Sequence, residues 1–104
     1  MQKVIKDGKV AILYSPGYGA GWSTWNDSEH RETLCMDAHI VNAVLEGNIS
    51  EAIEIAKKKC PGIYDGGGKD LTVYWLDEGE AFEIREYDGN EGVYVVSKMD
   101  YMIA

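Results

Sequence analysis

Proline occurs only at positions 16 and 61, histidine at 30 and 39, and cysteine at 35 and 60. Each scarcity narrows what the chain can be. Two cysteines far apart, in no CxxC spacing, read as reduced, buried and inert thiols of a cytosolic protein. Two histidines at neither finger spacing leave a four-ligand zinc site without its ligands. No apolar run approaches the roughly 20 residues needed to span a bilayer. The lysine-bearing N-terminus lacks the continuous apolar core of a signal peptide. No membrane partner is expected, and the cytoplasm is the expected location.

Basic residues are scarce too. Ten lysines and arginines face 18 acids, for a net charge of −8 over 104 residues. The imbalance grows along the chain: residues 1–21 carry +2, residues 22–69 carry −3, and residues 70–104 carry −7. A field of this sign repels phosphate backbones, so direct binding of DNA or RNA is not expected. The acidic C-terminal half reads either as a solvated face or as a surface that docks on a basic protein.

What is present fits one globular domain, with 45% apolar and 27% charged residues. "QKVIKDGKVAILY" reads as two strands around Asp7-Gly8, a favoured type I′ pair. Val10, Ile12 and Tyr14 lie on one face of the second strand and Ala11 and Leu13 on the other, which predicts a central strand covered on both sides. Pro16-Gly17 ends it as a type II turn with glycine at positive φ. Asp37 caps a helix reaching about Glu46, with Gly47 as its C′ residue. Ser50 caps a second helix, whose Lys57, Lys58 and Lys59 suit its negative end. Pro61-Gly62 stops it. "LTVYWL", "EAFEIREY" and "GVYVVS" read as strands joined by turns, and the tail "KMDYMIA" as a short last strand. The expected fold class is α+β: an N-terminal β-hairpin, two helices, and C-terminal antiparallel strands in one sheet with the helices packed on one face.

"SPGYGAGWSTWN", residues 15–26, departs from fold-making sequence. Gly17, Gly19 and Gly21 open conformations closed to other residues, and successive N–H groups in such a loop form a nest for an anion. Tyr18, Trp22 and Trp25 offer rings for stacking, and Ser15, Ser23 and Thr24 offer hydroxyls. Neither GxxxxGK[ST] nor GxGxxG is complete. Two readings follow: a site for a nucleotide-like ligand, or a corner whose tryptophans close the core.

Catalysis has little behind it. Cys35 with His30 or His39 is a formal pair without supporting context, Ser15 and Ser23 lie outside GxSxG, and no spacing singles out a working pair of carboxylates. The sequence favours a binding protein over an enzyme, with no cofactor and no metal.

The segment Tyr14-Ser15-Pro16-Gly17-Tyr18-Gly19-Ala20-Gly21-Trp22-Ser23-Thr24-Trp25 resembles the N-terminal signature of a family of small bacteriophage and prophage proteins. The resemblance extends more loosely through "MDAHIVNAVLEGN" and "YDGGGKDLTVYWLDEGEAFEIREYDG". It implies a phage origin, the cytoplasm of an infected bacterium as the setting, and an anti-defence role. One expectation is a non-catalytic protein that sequesters a nucleotide-derived immune signal. Tyr18, Trp22 and Trp25 would stack, Gly17, Gly19 and Gly21 would hold phosphate, and Arg85 or Lys69 would neutralise charge. A homo-oligomer would enclose such a ligand more fully. The alternative is an acidic inhibitor, anti-CRISPR-like, that binds a basic host defence protein through its C-terminal half.

Overall fold

The computed structural model describes residues 1–98 and has an α+β fold. Strands β1 (Ile5–Lys6) and β2 (Lys9–Tyr14) are followed by helices α1 (Arg31–Met36), α2 (Ala38–Leu45) and α3 (Ile49–Lys59). Strands β3 (Thr72–Asp77), β4 (Phe82–Tyr87) and β5 (Asn90–Val95) complete it. Asp7 and Gly8 both have positive φ, 53° and 76°, as a type I′ turn requires. β2 then pairs antiparallel with β3 from Lys9↔Asp77 to Tyr14↔Thr72, in the order β1-β2-β3.

The two apolar faces of β2 separate two cores. Ala11 and Leu13 pack with Trp22, Leu34, Ile40, Val41 and Ala52 beneath α2 and α3. Val10 and Ile12 pack with Cys35, Met36, Leu76 and Val95 on the opposite side. The strand is central and covered on both sides, as its alternation predicts.

The strands do not form one sheet. β4 and β5 make a separate two-stranded sheet. Its apolar residues Phe82, Ile84, Val93 and Val95 cover the Val10–Ile12 side of β2. The physical reason lies in β2 itself: α2 and α3 cover one of its faces, and the other, met only by Cys35 and Met36 at the end of α1, needs a further apolar cover. A hairpin alone is marginal in water, so β4–β5 depends on this packing as much as β2 does.

Asp37 caps α2, accepting hydrogen bonds from the His39 and Ile40 amides. The cap of α3 is Asn48 rather than Ser50: its side chain accepts from Glu51 N, and Ser50 is already helical. Gly47 takes the positive φ expected at C′. Gly17 is not among the positive-φ glycines, so no type II turn forms there. Helix α1 has no counterpart in the sequence reading, because it is six residues long and has no side-chain cap. The strand expected in the tail from position 99 onward lies outside the described residues. Among the described residues, no helix is long and apolar enough to cross a membrane.

Candidate functional site

The 15–25 loop is an anion nest, and its anion belongs to the protein. Glu91 in β5 is 3% exposed and points its carboxylate into the loop. Oε1 accepts from Ser15 N at 2.9 Å. Oε2 accepts from Trp22 N at 2.8 Å, Thr24 N at 3.1 Å and Thr24 Oγ1 at 2.6 Å. Glu91 N in turn donates to Ser15 O at 2.8 Å. A carboxylate taken out of water needs such partners, and an ionised acceptor strengthens each bond. The loop thus supplies converging donors to an internal ligand, and they come from Ser15, Trp22 and Thr24 rather than from Gly17, Gly19 or Gly21; the Gly19 N–H goes to Asp88 O instead.

The rest of the loop divides between core and surface. Ser15, Trp22 and Ser23 are fully buried. Trp22 Nε1 donates to Leu34 O at 2.7 Å, satisfying a carbonyl in the last turn of α1. Ser23 Oγ finds no partner of hydrogen-bond geometry among the described residues, and it stands against the Cys35 thiol. Gly17 packs against the Asp70 side chain, and a Cβ on Gly21 would fall 2.5 Å from Thr24 Oγ1. Tyr18 and Trp25 turn outward. Arg85 is on the other face of the hairpin from Glu91, since alternate residues of a strand face opposite ways. There its guanidinium pairs with Glu83 at 2.5 Å and stacks 4.8 Å above the Tyr94 ring. The structure therefore does not bring Arg85 into the nest. Lys69 is exposed in the turn Gly68–Asp70.

Two contacts lock the loop to the tip of the β4–β5 hairpin. Gly19 N donates to Asp88 O at 2.9 Å, and Trp25 Nε1 reaches Glu86 Oε2 at 3.4 Å. Gly89 at the tip combines φ +82° with backbone contact to Ala20, into which a Cβ would be driven. Gly62 has nearly the same φ, +83°, but open space around it. Gly62→Ala is expected to cost about 1 kcal/mol, the price of a left-handed alanine. Gly89→Ala should cost at least twice that, because the loop must also move. Urea titrations of the two variants measure the difference. Equal losses would mean that the loop and the hairpin tip are not in firm contact.

The loop's outward residues belong to an aromatic, acidic end of the molecule. Tyr18 is 69% exposed and Tyr87 80%. Trp25 and Tyr64 are also exposed, their ring centroids 5.6 Å apart, and Asn26 ties the pair together by bonds to Tyr64 N and O. Beside them stand the carboxylates of Glu86 and Asp88 at the hairpin tip. The loop's Tyr18 and Trp25 and the acidic C-terminal half belong to separate expectations from the sequence; the fold joins them through Trp25 Nε1 to Glu86 and Gly19 N to Asp88.

Neither cysteine is built as a nucleophile. Burial pushes the Cys35 thiol up to about 11, opposite to the shift an activated thiolate needs. Burial also raises Cys60, helped by the nearby Asp37 carboxylate. His39 Nδ1 lies 2.8 Å from Lys59 Nζ, which bridges to Asp37 at 2.9 Å, so this histidine and lysine serve the α2–α3 junction. Both thiols are expected to resist 5,5′-dithiobis(2-nitrobenzoate) at pH 8 until the protein is unfolded. The raised Cys35 value gives a second expectation. Its stabilising contribution is fully present below about pH 9, where the unfolded thiol is neutral, and is lost as pH rises through about 11. Rapid labelling of folded protein at pH 8 would contradict both expectations.

Among the described residues, no cluster of three or more His, Cys, Asp or Glu is arranged to hold a metal ion. Compared with known protein families, curated proteins and solved structures, the chain has no significant match.

Proposed function

We propose that the protein is a non-catalytic binding module that docks on a basic protein through the end formed by the 15–25 loop and the β4–β5 tip. The observation that carries this reading is the split within the loop. Its inward donors are taken by Glu91, while Tyr18 and Trp25 stand exposed. Trp25 lies against Tyr64 and Glu86, the loop is bonded to Asp88 through Gly19, and Tyr87 is exposed on the other face of the same hairpin tip. Tyrosine and tryptophan are the side chains that anchor protein interfaces, and acids around them speed and orient the approach of a basic partner. The resemblance to phage proteins points to a nucleic-acid-handling host protein, a defence protein among them, met in the cytoplasm of an infected cell.

Sequestration of a nucleotide-derived signal has one observation in its favour. The exposed Trp25–Tyr64 pair borders a cleft of about 340 Å³ in which a flat ring could stack. Against it, the ionisable residues lining that cleft are Asp27, Glu29 and His30, so a phosphate would face two carboxylates.

The test combines capture from a bacterial lysate with titration of the purified partner. Tyr18→Lys with Tyr87→Lys changes two exposed residues and is expected to leave the melting temperature nearly unchanged. It should weaken binding of a basic partner about tenfold or more. Unchanged binding would overturn the reading. So would a nucleotide-derived ligand that raises the melting temperature of the wild type and loses its effect in Trp25→Ala.

A further inference from the structure

We infer that the outer edge of β4 accepts an extended basic segment of a partner chain as an additional strand, seated in the cleft between β4 and α1. This rests on the reading that the partner is a basic protein, and it specifies how part of that partner is held.

The backbone geometry comes first. Val96 N donates to Ala81 O at 2.9 Å, which makes that pair a hydrogen-bonded one. Antiparallel pairing alternates, so with the register Glu83↔Tyr94, Arg85↔Gly92 and Tyr87↔Asn90 the bonded positions on β4 are the odd ones. The two-residue turn at Asp88-Gly89, φ 52° and 82°, closes the hairpin in the same phase. The N–H and C=O groups of Phe82, Ile84 and Glu86 therefore point away from β5. No backbone partner meets them among the described residues.

Among the described residues, no strand pairs with that edge. A cleft of about 340 Å³ runs beside it, lined by Phe82, Glu83 and Ile84 on one wall and by Arg31, Cys35 and Met36 on the other. The cleft presents apolar side chains next to a row of open backbone groups. This is the combination that binds an extended peptide by strand addition, with main-chain bonds for affinity and alternate side chains for specificity.

Charge selects the occupant. Residues 77–91 carry six acids besides the buried Glu91, against Arg85 alone, and across the cleft Glu32 stands with Arg31, so Glu32 and Glu83 outnumber the one cation of the lining. Two copies of this chain paired edge to edge would set Glu83 and Glu86 of one against those of the other, which is how natural proteins keep open edges apart. A strand with lysine or arginine at every second position meets no such barrier. Its alternate apolar residues would fall on the Phe82 and Ile84 side, against Met36 and Cys35.

The test titrates the full chain with acetyl-Lys-Val-Lys-Val-Lys-Val-amide and reads backbone amides by NMR and hydrogen exchange. Saturable binding is expected, with exchange at Phe82, Ile84 and Glu86 slowed at least tenfold. A peptide N-methylated at alternate residues, which keeps its charge but loses the donors facing β4, should bind at least tenfold more weakly. Equal binding of the two peptides, or binding without protection of these three amides, would overturn strand addition. The basic-protein reading would survive that result if the perturbed signals cluster at Tyr18, Trp25 and Tyr87. No binding of either peptide would also overturn strand addition, while the Tyr18/Tyr87 titration reports separately on the docking surface.

Discussion

Glu91→Ala is expected to lower the free energy of unfolding by about 4 kcal/mol. The estimate follows from the donors it abandons. Three backbone N–H groups and one hydroxyl converge on this carboxylate, and each buried donor left without a partner costs about 1–3 kcal/mol before relaxation. Since small domains are stable by roughly 5–15 kcal/mol, the variant should sit near the edge of folding. Glu91→Gln keeps the shape and one acceptor oxygen but turns an NH₂ toward N–H groups, and is expected to lose about half as much. Urea unfolding of both variants reads the effect directly. If Glu91→Ala folds, it vacates the nest, so acetate or formate should restore part of the loss where chloride at equal ionic strength does not. A loss below about 1 kcal/mol would mean that water replaces the carboxylate and that these four bonds contribute little to holding the loop.

Trp22→Ala is expected to cost a similar amount, about 3–5 kcal/mol. The side chain is fully buried among Leu13, Leu34, Ile40 and Val41. Its removal opens a cavity and strips the Leu34 carbonyl of its donor. Trp22→Phe fills most of the space but not the hydrogen bond, so it should fall between the wild type and the alanine variant. Because Trp22 N also donates to Glu91, the Trp22 and Glu91 substitutions share one structural unit. A double-mutant cycle is expected to show coupling of at least about 0.5 kcal/mol. The outcome that would sink this account is a Trp22→Ala protein of near-normal stability that has lost a ligand.

These two results bear on function through what they leave untouched. If Trp22 and Glu91 hold the loop in place, binding must be tested at residues that do not. Tyr18 and Tyr87 meet that condition by exposure. Trp25 meets it in part, since its ring rests on Tyr64 and its Nε1 reaches Glu86.

Much of the fold was legible because its signals are local. The Asp7-Gly8 turn, the Asp37 cap, the Gly47 stop and the two-faced β2 all depend on residues a few positions apart. Where a competing local signal existed, the nearest one misled. Ser50 looks like a cap, but Asn48 two residues earlier reaches Glu51 N. Helix α1 offered no local signal at all. The glycines marked the loop as unusual, but neither its donors, Ser15, Trp22 and Thr24, nor their acceptor was legible, because the hydrogen bonds to Glu91 link positions 76, 69 and 67 residues apart.

By itself, then, the sequence determined the α+β class, the central strand, two of the helices and the existence of a donor-rich loop, since turn chemistry, capping and periodicity act over a few residues. Tertiary structure alone decided that β4 and β5 leave the main sheet to close its second face. It also decided that Glu91, among the eight described acids from Asp70 onward, is the one that is buried. Burial selects it: there the hairpin carries a buried carboxylate into the loop, where dehydration makes four donors necessary and distance along the chain leaves no pattern to read.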